Sequence, residues 1–126
     1  MPILVVDDDA EVRRLLTRIL LCHGFTAVEA HDGLTALDKV RQMRGSISAL
    51  VTEIEMDGLN GVVLAKCIAS EFPAIPILFV STADPESTQD VSGSAFLAKP
   101  FQMAKLVEVV QRLVQRPAVK SQSAGC

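Results

Sequence analysis

Short apolar runs alternate along this chain with stretches whose apolar positions recur at helical spacing. Residues 3–6 are continuously apolar, the pattern of a strand covered on both faces. From 10 to 23, Val12, Leu15, Leu16, Ile19 and Leu20 line one side of a helix, and Arg13, Arg14 and Arg18 fall elsewhere on the turn, as its wet face. Gly24 ends that helix. Residues 25–29 read as a second strand. Asp32 and Gly33 then turn the chain into a helix carrying Ala36, Leu37, Val40 and Met43, closed by Gly45 and Ser46. Residues 47–52 predict a third strand, followed by a loop with Gly58 and Gly61. A helix over 62–72 follows, with Leu64, Ala65 and Ile68 inward and Pro73 as its stop. Pro76 can open a fourth strand over 77–80, 95–98 reads as a fifth, and 103–115 as a last helix buried through Leu106, Val107, Val110 and Leu113. Strand and helix patterns in this alternation predict βα units around a parallel sheet.

The rhythm weakens between the fourth and fifth strands. Asp84 and Pro85 look like a cap and first residue of a helix, but Ser92, Gly93 and Ser94 arrive before more than about two turns can form. A shortened fourth helix is therefore expected. Beyond Arg116 and Pro117 no period remains, so residues 1–116 read as one domain and 117–126 as a disordered tail or linker stub. The output is expected from another molecule or from sequence beyond this chain.

Composition changes this picture little. The chain has 126 residues, 49% hydrophobic and 21% charged, enough for one domain with a real core and not a disordered composition. Cys22, Cys67 and Cys126 are odd in number and lack CxxC spacing, and two of them fall in apolar helical patterns. They read as buried free thiols, without a disulfide framework or a zinc site. The apolar start is too short and too acidic in its flank for a signal peptide, and no run approaches a membrane span of about 18 residues. A cytoplasmic protein is expected, with no direct membrane or nucleic-acid partner, the latter because its formal charge is −3.

The charge matters through where it falls. In a doubly wound parallel sheet, working groups gather at the carboxyl ends of the strands. Asp7, Asp8 and Asp9 follow the first strand, Glu53, Glu55 and Asp57 close the third, Ser81 and Thr82 follow the fourth, and Lys99 follows the fifth. Each has a plainer reading. The acidic triplet can cap a helix, Ser81 and Thr82 can be turn residues, and a lone lysine is usually solvated. Together they change the picture. Carboxylates at one edge repel unless a cation bridges them, hard oxygen ligands suit Mg²⁺, and a lysine with a hydroxyl can hold the oxygens of a phosphoryl group. His23 at a helix end and His31 in a loop have no ligand spacing between them.

From residue 3 to about 113 the sequence resembles the receiver domain of two-component response regulators. The resemblance is carried by the run from Ile3 to Asp9, by Asp32 and Gly33 before a helix start, by Gly58 to Gly61, by Ser81, and by Phe96 to Phe101 around Lys99 and Pro100. It implies a flavodoxin-like doubly wound (βα)5 sandwich with sheet order 2-1-3-4-5. It implies Mg²⁺ as cofactor, held directly by Asp8, through water by Asp7, and by the backbone carbonyl of Glu55, with the side chain at position 53 completing the site. Asp9 matches a position of free identity. Ser81 matches the hydroxyl that bonds the phosphoryl group, Lys99 the lysine that pairs with it, Phe96 the aromatic that turns inward on activation, and Lys99–Pro100 a bond commonly cis. Implied partners are a sensor histidine kinase or phosphotransfer protein and a downstream effector, with the chain itself a monomer or weak homodimer and not an enzyme.

Two positions depart from the family. Glu53 stands where the family has its phosphate-accepting aspartate, and Asp57 stands where it usually has proline. One extra methylene displaces the carboxylate by roughly 1.5 Å, and about 1 Å can cost on the order of a hundredfold in an in-line attack. The expectation is a signalling domain working through protein contacts, with phosphorylation at the usual position lost or weakened. The alternatives are a true acceptor using Glu53 or Asp57, or an ordinary receiver into which Glu53 was introduced. More distant ones are a Mg²⁺-dependent aspartate phosphatase, suggested by Asp7 and Asp9 but lacking Thr or Val at Glu11, and a flavin carrier, disfavoured by three aspartates in the first turn.

Overall fold

The computed structural model describes residues 1–115. Five strands, β1 (Ile3–Val6), β2 (Ala27–Ala30), β3 (Ala49–Thr52), β4 (Ile77–Ser81) and β5 (Ala95–Ala98), form one parallel sheet in the order β2-β1-β3-β4-β5. Four α-helices cover it: α1 (Ala10–Cys22), α2 (Gly33–Gln42), α3 (Gly61–Glu71) and α4 (Met103–Val114). Ile3 stands opposite both Ala27 and Ala49, Leu50 opposite Ile77, and Leu78 opposite Ala95.

Alternation along the strands divides the core in two. Leu4, Val6, Leu50, Ile77 and Phe79 point to the side covered by α2 and α3. Ile3, Val5, Val51, Leu78 and Val80 point to the side covered by α1 and α4. The continuous apolar reading of β1 follows directly, because every residue in it is fully buried. Each fully buried Leu, Ile or Val contributes about 1.5–3 kcal/mol of transfer free energy.

The helix faces match the spacing of the sequence, with Leu64, Ala65 and Ile68 buried on α3 and Leu106, Val107, Val110 and Leu113 on α4. Several expectations are corrected. β2 begins at Ala27, not at 25, because the Phe25 amide is taken by the Leu20 carbonyl at the end of α1, where Gly24 has φ +88°. β3 begins at Ala49, because Ile47 is tied into a tight turn by the Gly45 carbonyl. The shortened fourth helix is a single 3-10 turn, Pro85–Thr88, beside four α-helices among the described residues. Asp84 caps it, but Ser87 and Thr88 turn their hydroxyls back onto the Asp84 and Pro85 carbonyls, which does not propagate a helix.

Leu15 is half-exposed, outside the buried stripe of α1. Cys22 is exposed at the end of that helix and Cys67 is only partly buried, so neither is the fully buried thiol expected. Cys126 and the expected tail lie outside the described residues. Among those described, no helix is long and apolar enough to cross a membrane.

Candidate functional site

The carboxyl ends of β1, β3, β4 and β5 meet at one edge of the sheet. Asp7, Glu53 and Lys99 each stand one residue beyond a strand, and Ser81 ends β4. The Lys99 amide donates to the Ser81 carbonyl at 3.0 Å, which extends the β4–β5 ladder by one bond and fixes where the lysine leaves the sheet. The Lys99–Pro100 peptide bond that follows is cis.

Burial sorts these groups. Asp7 is 2% exposed, Glu53 8% and Ser81 0%. Asp8, Glu55 and Asp57 are exposed. The Lys99 ammonium donates to Glu53 Oε1 at 2.7 Å and to Asp7 Oδ2 at 3.0 Å. The remaining oxygen of each acid is held by main chain. Asp7 Oδ1 accepts from the Asp9 amide at 2.9 Å, and Glu53 Oε2 from the Ile54 amide at 2.6 Å and the Glu55 amide at 3.3 Å. The longer glutamate side chain therefore curls back over its own backbone while its other oxygen reaches the lysine.

Electrostatics follow from that geometry. For Glu53, burial pushes the carboxyl up, but the hydrogen bonds from Lys99, Ser81 and the Ile54 amide outweigh it and leave the group below the ordinary carboxylate value. For Asp7 burial wins, over the Asp9 amide and Lys99, and its carboxyl is raised. Burial alone would lower Lys99, but its two acidic partners hold it above the ordinary lysine value. The centre is thus an ammonium between two carboxylates.

The neighbouring acids have other work. Asp9 caps α1, accepting from the Glu11 amide at 2.9 Å, and Asp32 caps α2, accepting from the Thr35 amide at 2.7 Å. Asp8 accepts a long bond, 3.4 Å, from the Asp57 amide. Asp8, Glu55, Met56, Asp57 and Asn60 line a shallow depression of about 390 Å³. Phe96 lies opposite Phe79 in the ladder and packs, half-buried, on the α2/α3 side of the core. Ser81 Oγ accepts from the Ala83 amide at 3.0 Å.

Among the described residues, no group of three carboxylates, imidazoles or thiols is arranged to hold a metal ion. Asp7 and Glu53 have both oxygens engaged, and Asp8 accepts from the Asp57 amide and lines the depression. As arranged, the cation beside Asp7 and Glu53 is the Lys99 ammonium. His23 Nδ1 meets the Ile19 carbonyl and His31 meets Asp32, both at helix ends.

Two contributors escaped the sequence reading. A β-carbon on Gly61 would lie 1.9 Å from the Glu53 carbonyl oxygen, so only glycine lets α3 start over the end of β3. The loop position of Gly61 was legible, but its reason was not. Arg13, expected on the wet face of α1, is instead largely buried, at 15% side-chain exposure, and bonded to Glu29 and the Asp7 carbonyl. Nothing in the amphipathic pattern of α1 signals a partner on β2.

The response regulator receiver domain family matches residues 3–111. The response regulator MprA of Mycobacterium avium is 35% identical over 120 residues, covering 92% of this chain and 52% of that protein. The chain thus spans about half the length of the curated relatives it matches. Among solved structures, the Vibrio cholerae chemotaxis protein CheY4 superposes with TM-score 0.80 at 27% identity, covering 89% of this chain and 97% of that one. A response regulator receiver protein from Sinorhizobium medicae gives TM-score 0.84 at 25% identity, covering 92% and 95%.

Proposed function

The chain belongs to the response regulator receiver domain family, and on that premise we propose that it signals through protein contacts, with acyl phosphorylation at the usual position lost or weakened by Glu53. The observation that carries this reading is the engagement of Glu53. Oε1 is held by Lys99 and Oε2 by the Ile54 amide. Attack on a phosphoryl donor needs a carboxylate oxygen free and in line. Here one oxygen must first leave a charged partner in a buried site, and the methylene that lets it reach that partner also moves it from an aspartate's position.

Receiver domains generally bind Mg²⁺ at the phosphorylation site and interact with histidine kinases or phosphotransfer proteins and with effectors. For this chain we propose weak Mg²⁺ binding, because Lys99 already supplies the cation for Asp7 and Glu53. Asp8, Asp7 and the Glu55 carbonyl are the groups that would hold the ion once Glu53 is displaced. A cytoplasmic domain over residues 1–116, monomeric or weakly dimeric, meeting a sensor kinase or phosphotransfer protein and an effector, completes the reading.

Acetyl phosphate with Mg²⁺, followed by mass spectrometry of the intact chain, tests it. The expected result is little modification. Rapid, stoichiometric modification of Glu53 overturns it, and modification at Asp57 supports the second reading, a true acceptor at the exposed acid beside Asp8. An aspartate phosphatase is disfavoured, because its nucleophile would be Asp7, bound at both oxygens, and its acid Asp9, engaged as a helix cap. Turnover of a generic phosphate ester would revive it.

A further inference from the structure

We propose that Arg13 is the positioning residue of the Lys99 centre, holding the β1–α1 turn so that the Asp7 carboxylate meets the ammonium. The proposal rests on the reading above that the Asp7, Glu53 and Lys99 cluster is the working site.

Arg13 lies one turn into α1, after the cap residue Asp9. Its Nε donates to Glu29 Oε1 at 2.8 Å, and one terminal nitrogen donates to the Asp7 main-chain carbonyl at 2.9 Å. The planar fork of a guanidinium spans two acceptors at fixed angles, which a single ammonium does not. Glu29 is a fixed anchor in turn. It sits in β2 opposite Val5, and its own carbonyl accepts from Lys39 Nζ on α2. Asp7 is thereby gripped from two sides: Arg13 holds its carbonyl, and the Asp9 amide and Lys99 hold its carboxylate. The carbonyl and carboxylate share one residue, so rotation of the turn moves both.

An exposed Arg–Glu pair would carry little weight. Here the guanidinium is largely covered, and it also reaches a main-chain group at the edge of the buried centre. Charged hydrogen bonds of this kind are about twice as strong as neutral ones.

Native-state hydrogen exchange of the Asp9 amide, which binds Asp7 Oδ1, reads the turn directly, and the Lys99 ammonium resonance in NMR spectra reads the centre. In Arg13→Met the protection of the Asp9 amide is expected to fall about tenfold or more, the loss of a charged hydrogen bond, and the ammonium resonance to broaden or disappear. Arg13→Lys restores part of both, and Glu29→Gln, which keeps a neutral acceptor, gives a smaller loss of the same kind. Val110→Ala, placed in the α1/α4 core, lowers global stability and leaves both signals in place.

Unchanged signals in Arg13→Met overturn the proposal, as do equal losses in Val110→Ala, which would make the effect merely one of stability. Should Arg13→Met not fold, Glu29→Gln decides by the same two signals. Labelling of Glu53 by acetyl phosphate would remove the functional reading and leave this result standing, so the two failures are distinguishable.

Discussion

A β-carbon at position 61 would stand 1.9 Å from the carbonyl oxygen of Glu53, so the first residue of α3 and the residue after β3 touch main chain to main chain. The Gly61 amide uses this proximity to donate to the Ile54 carbonyl at 2.8 Å. Gly61→Ala should therefore push α3 away from the sheet edge, destabilise the domain by at least about 1–3 kcal/mol as an overpacked contact, and move the Ile54 amide that holds Glu53. Chemical denaturation with NMR shifts at Ile54 checks it, and an alanine variant of unchanged stability would contradict it.

Lys99 is the cation of a buried centre, so removing it should cost more than its own contacts suggest. Lys99→Met leaves Asp7 and Glu53 buried without a counter-charge, and the loss should be about 3–5 kcal/mol. Adding Glu53→Gln removes one of the stranded anions, so the double variant should be more stable than Lys99→Met alone. Thermal unfolding of the three proteins measures this.

Shortening the acid tests the functional reading from the other side. Glu53→Asp withdraws the carboxylate by roughly 1.5 Å, away from the ammonium that now holds Oε1. Labelling by acetyl phosphate and Mg²⁺ should rise by about a hundredfold. An unchanged rate would mean that side-chain length is not what limits the reaction.

The pH dependence of stability has a defined sign at Glu53. Its folded value lies below the ordinary 4.5, so its ionised form stabilises the fold fully above 4.5, and that contribution is lost as pH falls through the lower folded value. The stability gap between the native chain and Glu53→Gln should shrink across that acid window. Asp7, raised by burial, acts in the opposite sense: its protonated form is the favoured one, and stability is lost as pH rises through its raised value. Denaturation midpoints from acid to neutral pH separate the two.

Ser81 and Phe96 lie on the neighbouring strands β4 and β5, Phe96 opposite Phe79 two residues before Ser81, and Ser81 lowers the Glu53 carboxyl. Ser81→Ala should shift the ring signals of Phe96 and leave those of Leu113, in the opposite core, in place. Unmoved Phe96 signals would separate the two residues.

How much of this was legible in the sequence depends on the kind of information each element carries. β1 and α4 were readable because continuous burial and a single buried stripe leave strong periodic traces, and the strand ends then located Asp7, Glu53, Ser81 and Lys99. At Pro85–Thr88 the sequence shows that the helix is short but not its type, because an Asp–Pro start looks alike for a 3-10 turn and an α-helix. Only the back-bonding of Ser87 and Thr88 separates them. The start of β2 was hidden by Phe25, apolar enough for a strand but used to close α1. Within the site, the sequence located the acids but not their pairing. That Glu53 divides its oxygens between Lys99 and its own backbone is fixed by distances across the sheet, as is the grip of Arg13 on Asp7, and neither leaves a periodic signal.

The strand order has a consequence for how the chain assembles. β1 lies between β2 and β3, so the first half of the chain contains a contiguous three-stranded sheet, to which β4 and then β5 add at one side in the order of synthesis. Asp7 and Glu53 belong to that early half, and Lys99 belongs to the last strand. Until β5 docks, two carboxylates face each other at a closing edge with no cation between them, which penalises the partial sheet. Docking of β5 thus completes the sheet and sets the ammonium between its two acids in one step.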